Sequence, residues 1–466
     1  MSATATTEKK YLKWYQKLAY GSGDLASNCS YGLVSSFVLL YLTGTLGLDS
    51  AIIGSLMLAS KVLDGISDVI FGTLIDRTHS KLGKARPWML FGQVGVSLCL
   101  FLLFAIPAGS TTMQYIYFFI VYTALNAANG IAYSSLVALI TKNNNERVQL
   151  GSFRFMFAVV TNIFMGFAVT GMVEKFGSGA AGWRTTALIF AIVGLVVNTI
   201  SCLAVKELPE EELSGNTSEA AEEGKAVAEE KKHGFAETAK ILVHNKYYLM
   251  ILAIYIVYYI MSNLTTGAGV FCATYYWGDG SLLGQFSMMK MFPVIIALAI
   301  APVLIKKTGS MQKVNFWGYA ISSVLGIPMI YFAMQKNLSM FLLFMFIKGI
   351  FAGTLSGSLN ALIAEASGYT TRTTGVHMDG MMYSCSSLGV KVGGGIGTAA
   401  VGWLLKLGGF VGTATVQSES AIRMIFNLYI TFPFVIGIII TVLLAFLDVE
   451  KANKKWDAEH KKEAQA

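Results

Sequence analysis

A long uncharged stretch constrains this chain more than any other feature of its sequence. Residues 87–141 contain no Asp, Glu, Lys or Arg, and residues 424–447 form another such run. A helix of about 20 apolar residues crosses the hydrocarbon core of a bilayer. The first run is therefore long enough for two crossings and the turn between them. We expect an integral membrane protein.

The composition agrees with this interpretation. Charged residues make up 13% of the 466 residues and hydrophobic residues 54%, whereas soluble domains carry about 25% charged residues. The net charge of +8 fits basic cytoplasmic loops, so we expect no nucleic-acid partner. The five cysteines have neither zinc-ligand nor CxxC spacing. Residues 1–12 are polar with no apolar core directly behind them, which predicts no cleaved signal peptide.

Hydropathy and loop residues predict an all-α fold with twelve transmembrane helices. Their approximate ranges are 16–43, 51–75, 87–107, 114–140, 151–173, 184–204, 245–274, 282–305, 314–334, 339–365, 376–405 and 423–447. Basic residues concentrate in the loops after the second, fourth and eighth helices, and the opposite loops are nearly free of them. The positive-inside rule therefore predicts that both termini face the cytoplasm of a plasma or inner membrane.

The chain is predicted to divide into two six-helix halves. Residues 1–204 form the first half and 241–448 the second, with a cytoplasmic middle loop at 205–240 and a cytoplasmic tail at 449–466. The middle loop is the one long hydrophilic segment and is interpreted as a solvated tether. LIDRTHSKLGKARPW, from Leu74, and LIKKTGSMQKVNFW, from Leu304, close the second helix of each half. Such parallel repeats are typical of the major facilitator fold.

Two carboxylates lie inside the predicted second helix. Asp64 and Asp68 are four residues apart and therefore project from one helix face. A charged aspartate at the bilayer centre costs at least about 2.5–3.5 kcal/mol, so both should face the bundle interior. Together they could bind a small cation or share a proton. The alternative is a pair of ordinary ion pairs, for example Asp64 with Lys61 or with a lysine on another helix.

Other polar residues in apolar surroundings are candidate substrate contacts. They are Asp24 and Asn28 in the first helix, Asn126, Asn129 and Ser134 in the fourth, Arg154 in the fifth and Lys391 in the eleventh. Each asparagine could equally serve helix packing or an interhelical hydrogen bond. Lys391 needs an anionic or polar partner because it lies in the middle of a helix. Lys290 and Lys348 also lie within predicted helices, but the case for a functional role is weaker for them than for Lys391.

A charged cluster follows the second helix. Asp76, Arg77, Lys84 and Arg86 lie where the helix reaches the headgroups. They can act as topogenic charges and as a cytoplasmic latch that bridges helices and holds one access state. The second copy of the repeat has Lys306 where the first has Asp76, so the full pattern belongs to the first half.

No catalytic pattern is present in the sequence. It contains no GxSxG, HExxH or P-loop motif, and its five histidines do not cluster. We therefore expect no catalytic residues, no cofactor and no ATP-driven pump.

Four stretches resemble the glycoside–pentoside–hexuronide:cation symporters of the major facilitator superfamily. They are KLAYGSGDLASN; KVLDGISDVIFG with RTHSKLGKARPW; IAYSSLVALITKNNNERVQLGSFRFMFA; and GVHMDGMMYSCSSLGVKVGGGIG. The resemblance spans essentially the whole chain. The second and fourth stretches are specific for the family, whereas a twelve-helix plan alone is not.

The resemblance implies roles for several residues. Asp64 and Asp68 would form the coupling-cation site, for Na⁺ or H⁺, and would be metal ligands if the cation is Na⁺. Arg154 and Lys391 would border the sugar cavity, with Lys391 close to the carboxylates. Asn28 stands where melibiose-transporting members have a sugar-binding aspartate.

The fourth helix departs from the melibiose-transporting members. Ala127 and Gly130 stand where those members have a threonine and a second aspartate. An anionic sugar such as a glucuronide would suit this cavity better than an α-galactoside.

The predicted function is secondary active transport. A cation-coupled symport would bring a glycoside, pentoside or hexuronide into the cytoplasm by alternating access. The expected partners are a small sugar and membrane lipid, and the expected functional unit is a monomer. The alternatives are a major facilitator carrier for a nucleoside, peptide or drug, and a non-transporting membrane sensor.

Overall fold

The computed structural model describes residues 9–78, 80–127, 131–209, 241–375, 379–414 and 416–463. In these ranges the regular structure is helical. The helices are α1 (Trp14–Gly21), α2 (Gly23–Leu40), α3 (Ser50–Asp76), α4 (Arg86–Leu103), α5 (Thr111–Ala127), α6 (Ile131–Ile140), α7 (Asn144–Lys175), α8 (Gly179–Ala204), α9 (Lys246–Phe271), α10 (Leu282–Thr308), α11 (Met311–Met334), α12 (Leu338–Thr374), α13 (Asp379–Leu388), α14 (Gly394–Leu407), α15 (Glu419–Phe426), α16 (Phe432–Phe446) and α17 (Val449–Glu463). Short π-helical segments, Tyr41–Thr45, Cys272–Trp277, Gly389–Gly393 and Asn427–Thr431, join some of them.

Ten helical stretches of the described chain are long and apolar enough to cross a membrane. They do not include α3, whose central turns carry Lys61, Asp64 and Asp68. The predicted fourth helix, 114–140, is represented by α5 and α6, and residues 128–130 between them lie outside the described part. The chain is thus an all-α, multi-pass membrane protein, and the count of twelve crossings stays a prediction.

The predicted first helix has an irregular turn at Ser22, between α1 and α2, where the backbone stays in the right-handed helical region. A glycine stands on each side of this turn, and each packs closely against another helix. A Cβ atom added at Gly21 would lie 2.6 Å from the Cβ atom of Phe153, and one at Gly23 would lie 2.6 Å from the Tyr133 ring. This close packing places Asp24 in the first turn of α2, beside α6 and α7.

The chain forms two compact units. Unit 1 comprises Met1–Asn216, Gly278–Gly284 and Leu405–Ser418, and unit 2 comprises Thr217–Trp277, Gln285–Leu404 and Glu419–Ala466. In unit 1, Tyr20, Leu136 and Leu150 belong to a buried cluster. In unit 2 the larger cluster includes Ile254 and Leu359. The predicted domain boundaries stay predictions, and residues 210–240 of the middle loop lie outside the described part.

Both copies of the internal repeat end in a helix start that is capped by a distant glutamate. In unit 1, Glu207 accepts hydrogen bonds from the backbone N–H groups of Lys84, Ala85 and Arg86 at 2.7–3.0 Å, at the start of α4. In unit 2, Glu450 accepts from the N–H groups of Met311 and Gln312 at 2.8 and 3.0 Å, at the start of α11. A carboxylate is stabilising at this end of a helix, where the first N–H groups lack partners.

Candidate functional site

A polar cavity of about 610 Å³ lies inside unit 1. Its volume falls within the range of about 300–1,000 Å³ that is usual for small-molecule sites. The residues that line it are Asp24, Ser27, Asn28, Tyr31, Lys61, Asp64, Asp68, Asn126, Tyr133, Ser134, Ser135 and Arg154. The structure thus brings together seven of the nine predicted substrate and cation residues. Asn129 lies outside the described residues, and Lys391 belongs to unit 2.

Helix α3 has an apolar face and, on another side, a face that carries charged residues. Val62, Ile66 and Ile70 recur every four residues and are each more than half exposed, as expected for a surface that contacts lipid. Asp64, whose side chain is 15% exposed, and Asp68 line the cavity instead. The spacing of the two carboxylates therefore has the consequence expected from a helix: they share a face that is turned to the interior of the bundle.

Lys61 is a cation already present beside the carboxylates. Its ammonium group donates to Asn126 Oδ1 at 2.9 Å and lies 3.7 Å from Asp64 Oδ2. It also lies 5.7 Å from the centre of the Tyr31 ring. The ion pair that the sequence left open as an alternative is present, and it lies within the cavity. The Asn126 amide is oriented for this contact because its nitrogen donates a hydrogen bond to Tyr122 O at 2.9 Å.

Arg154 and Asp24 form a second ion pair at the cavity wall. The distance from Arg154 Nε to Asp24 Oδ2 is 2.5 Å, and the guanidinium carbon lies 4.3 Å from the centre of the Tyr133 ring. Tyr133 is itself fixed, because Tyr133 and Tyr20 each donate a hydroxyl hydrogen bond to the other's carbonyl oxygen. Asp24 therefore compensates the positive charge that the sequence reasoning left for an anionic sugar.

Asn28 is oriented by two hydrogen bonds. Its amide nitrogen donates to Asp24 O at 2.7 Å, and its Oδ1 atom accepts from Asn162 Nδ2 at 2.9 Å. Sequence reasoning missed Asn162, Tyr31 and Tyr133. For Asn162 a signal was available, because it is a polar residue in an apolar helix about two turns after Arg154. Nothing in the sequence distinguished the two tyrosines from core aromatics.

The predicted latch residues are distributed around the start of α4. Arg86 is 8% exposed, and its Nε donates to Cys202 O at 3.2 Å. The Lys84 backbone binds Glu207, and Arg77 is exposed. Asp76 ends α3, and its side chain lies outside the described part of the structure. The contacts seen here bind α4 to the end of α8, and a role in access stays a prediction.

Lys391 lies in the π-helical segment Gly389–Gly393 of unit 2. The glycines at both ends of the segment let its backbone approach α9. A Cβ atom added at Gly389 or Gly393 would lie 2.4 Å from Tyr255 Cβ or Ile256 O, respectively. These glycines therefore serve helix packing, and the expected proximity of Lys391 to the carboxylates stays a prediction.

The unit 1 cavity offers two kinds of chemistry. Its carboxylate, amide and hydroxyl oxygens are the hard ligands that small cations prefer. In the described residues no three His, Cys, Asp or Glu side chains cluster as a metal site. The same amides and hydroxyls can bind the hydroxyl groups of a polar solute.

A multi-pass helical fold with a cavity lined by ionisable side chains is the architecture expected of a membrane transporter. The solved structure of a bacterial homolog to the human lysosomal transporter Spinster has the same fold. The match has a TM-score of 0.70 at 13% identity and covers 95% of this chain and 98% of that one.

The sequence places the chain more narrowly. The profile of the MFS/sugar transport protein family matches residues 19–451, and the chain belongs to this family. It is 26% identical to the isoprimeverose transporter of Lactiplantibacillus pentosus, covering 97% of this chain and 92% of that one. It is 24% identical to the inner membrane symporter YicJ of Escherichia coli (strain K12), covering 90% and 88%.

A third relative is named after a different solute. The chain is 23% identical to the glucuronide carrier protein homolog of Escherichia coli (strain K12), covering 86% and 85% of the two chains. The predicted membership of the glycoside–pentoside–hexuronide symporters is thereby confirmed, as is the prediction of a transporter rather than an enzyme.

Proposed function

We propose that this protein is a cation-coupled symporter that carries a glycoside, pentoside or hexuronide into the cytoplasm by alternating access. One observation supports the proposal above all: Asp64 and Asp68 line the same cavity as the polar wall formed by Asn28, Asn126 and Arg154. A cation bound to the carboxylates would then be close enough to a solute in this cavity to change its affinity.

The coupling cation, Na⁺ or H⁺, binds to Asp64 and Asp68. Lys61 partly neutralises this site through its contact with Asp64. Arrival of the cation weakens that contact because the two positive charges compete for one carboxylate. Lys61 keeps its hydrogen bond to Asn126. Cation binding at the carboxylates therefore affects Asn126, which belongs to the cavity wall that binds the solute.

The sugar binds through its hydroxyl groups. Asn28, Asn126 and Ser134 supply amide and hydroxyl partners, and the tyrosines at positions 31 and 133 supply ring faces. Asn28 is preoriented by Asn162, which lowers the entropy that binding must otherwise cost. Each ligand then binds better when the other is present, because coupling between two sites is reciprocal.

The transport cycle follows from the proposed topology. Twelve crossings form two six-helix halves, with both termini in the cytoplasm of the cell membrane, and a single chain is the functional unit. The halves rock about the loaded site, and the cytoplasmic cluster around Asp76, Arg77, Lys84 and Arg86 holds one access state. Lys391 pairs with a carboxylate while the empty carrier returns.

Replacing Asp68 with Asn tests the proposal. The variant should stay folded but lose uphill accumulation in vesicles, because the neutral amide cannot alternate between cation-bound and cation-free charge states. Imposed Na⁺ and proton gradients, applied separately against glycosides, pentosides and uronides, identify the cation and the sugar. Asp279→Asn is the matched control, because Asp279 is exposed and lies outside the cavity. Wild-type, gradient-driven uptake by Asp68→Asn would refute the assignment.

A further inference from the structure

Unit 2 contains a separate cavity, of about 180 Å³, that the proposed cation site does not use. It is lined by α9, α10, α11, α12, the segment Asn427–Thr431 and α16. One water molecule needs about 10–15 Å³ of such space. The cavity can therefore accommodate an ionised group together with several polar contacts.

Two lysines, Lys290 and Lys348, line this cavity. The Lys290 ammonium group donates to Thr265 Oγ1 and Thr266 Oγ1, both at 3.2 Å, and these partners are neutral. Lys348 makes no hydrogen bond or ion pair with any residue that the structure describes. Of the lining residues in the described chain, none is Asp or Glu. Among the described residues, no carboxylate in the cavity therefore balances the two ammonium groups, although a charged side chain inside a membrane protein normally has a partner.

Tight helix packing keeps the two lysines in one cavity. Next to Lys348, a Cβ atom added at Gly349 would lie 2.8 Å from Pro293 Cβ, one turn beyond Lys290. Helices α10 and α12 therefore touch close to the backbone positions of both lysines. Two like charges in one cavity are costly unless a ligand of opposite charge compensates them.

Further hydrogen-bond donors line the same cavity. Tyr319 and Tyr429 are 2% and 8% exposed, and within the described structure neither hydroxyl group makes a hydrogen bond. A tyrosine hydroxyl can donate one hydrogen bond. Two ammonium groups and two tyrosine hydroxyls form a set of donors that matches the acceptor oxygens of an oxyanion.

We propose that this cavity binds a carboxylate or another small oxyanion, held by Lys290 and Lys348. The anion has two possible sources: the acidic group of a transported solute, or a free inorganic anion. If the anion is part of the transported solute, the inference rests on the proposed function and adds that the solute is acidic. If it is a free inorganic anion, the inference does not depend on the proposed function. It also provides a positive site for an anion, which the Arg154–Asp24 pair does not.

The test is ligand binding to the purified full-length protein in detergent, without transport. Calorimetry and thermal unfolding compare D-glucuronate, D-glucose and sodium phosphate at constant ionic strength. For wild type we expect glucuronate to bind more tightly than glucose. Lys348→Met and Lys290→Met should each weaken glucuronate about tenfold and leave glucose unchanged. Lys307→Met is the matched control, because Lys307 is exposed on the same helix as Lys290.

The outcomes separate the sources. Loss of glucuronate binding alone assigns the site to an acidic solute. If phosphate stabilises wild type but not Lys348→Met, and glucuronate binds no better than glucose, the site holds a free anion. That result stands even if no sugar is transported. Wild-type behaviour of both methionine variants toward every anion would overturn the proposal. Lys348→Arg, which keeps the charge and should keep binding, distinguishes loss of charge from misfolding.

Discussion

Arg154 donates from Nε to Asp24 Oδ2 at 2.5 Å, across a sequence separation of 130 residues. Both side chains are largely buried, at 25% and 17% exposure, and the guanidinium carbon lies 4.3 Å from the centre of the Tyr133 ring. The pair joins α2 to α7 at the wall of the cavity. A buried ion pair contributes less to stability than its removal suggests, since breaking it leaves one charge without compensation. The two single variants and the double variant should therefore differ in a characteristic way.

Asp24→Asn should destabilise the protein by about 1.5–3 kcal/mol, the range for a hydrogen bond between charged groups. Arg154→Gln should have a comparable effect, and the double variant should cost less than the sum of the two. Thermal unfolding in detergent measures all three. Strict additivity would show that the pair has no energetic coupling.

Replacing Lys61, the positively charged residue beside Asp64, tests the proposed cation site. Because its ammonium group lies 3.7 Å from Asp64, it competes with an incoming cation. Lys61→Gln should raise the apparent affinity for the coupling cation about 3–10-fold, or about 0.7–1.4 kcal/mol, measured by uptake against cation concentration. Lys17→Gln is the control, because Lys17 pairs with Glu146 at 2.9 Å outside the cavity. An unchanged or weaker cation affinity in Lys61→Gln would exclude this competition.

Asn162 should affect the sugar and not the cation. Its amide holds Asn28 Oδ1 at 2.9 Å, so Asn162→Ala leaves the Asn28 side chain less ordered. A hydrogen bond of this kind contributes about 0.5–1.5 kcal/mol, which corresponds to a loss of sugar affinity of about 3–10-fold. Equilibrium binding of sugar and cation measures both effects. Asn145→Ala, an exposed position on the same helix, should be silent. Equal losses for the two ligands would indicate a general structural defect.

The sequence predicted the parts of this site that depend on one helix at a time. The i, i+4 spacing of Asp64 and Asp68 and the cost of charge in a bilayer were enough to place both carboxylates on the inner face of α3. Polar residues in apolar segments likewise identified Asn28, Asn126 and Arg154 as cavity residues. In each case the opposite orientation would turn a charged or polar side chain toward lipid, which is costly.

The pairing between helices could not be predicted in this way. Nothing in the spacing of residues 24 and 154 indicates that they meet, and the contact of Lys61 with Asn126 bridges 65 positions. The contacts of Phe153 and Tyr133 with the glycines that flank Ser22 likewise join distant parts of the chain. Such contacts follow from the packing of helices from different parts of the chain, which a single sequence does not specify.

Glu207 and Glu450 provide a prediction about the internal repeat. Each carboxylate caps the helix that starts after its repeat segment, α4 or α11. Glu207→Ala should therefore lower hydrogen-exchange protection in the first turn of α4, and Glu450→Ala in the first turn of α11, each without affecting the other helix. Glu207→Gln should retain part of the protection because its amide oxygen still accepts. Glu459→Ala, in an exposed pair with Lys455, serves as the control. If Glu207→Ala lowered protection in both helices, or in neither, the two glutamates would not cap their helices independently. The sequence repeat would then have no matching structural feature at the starts of α4 and α11.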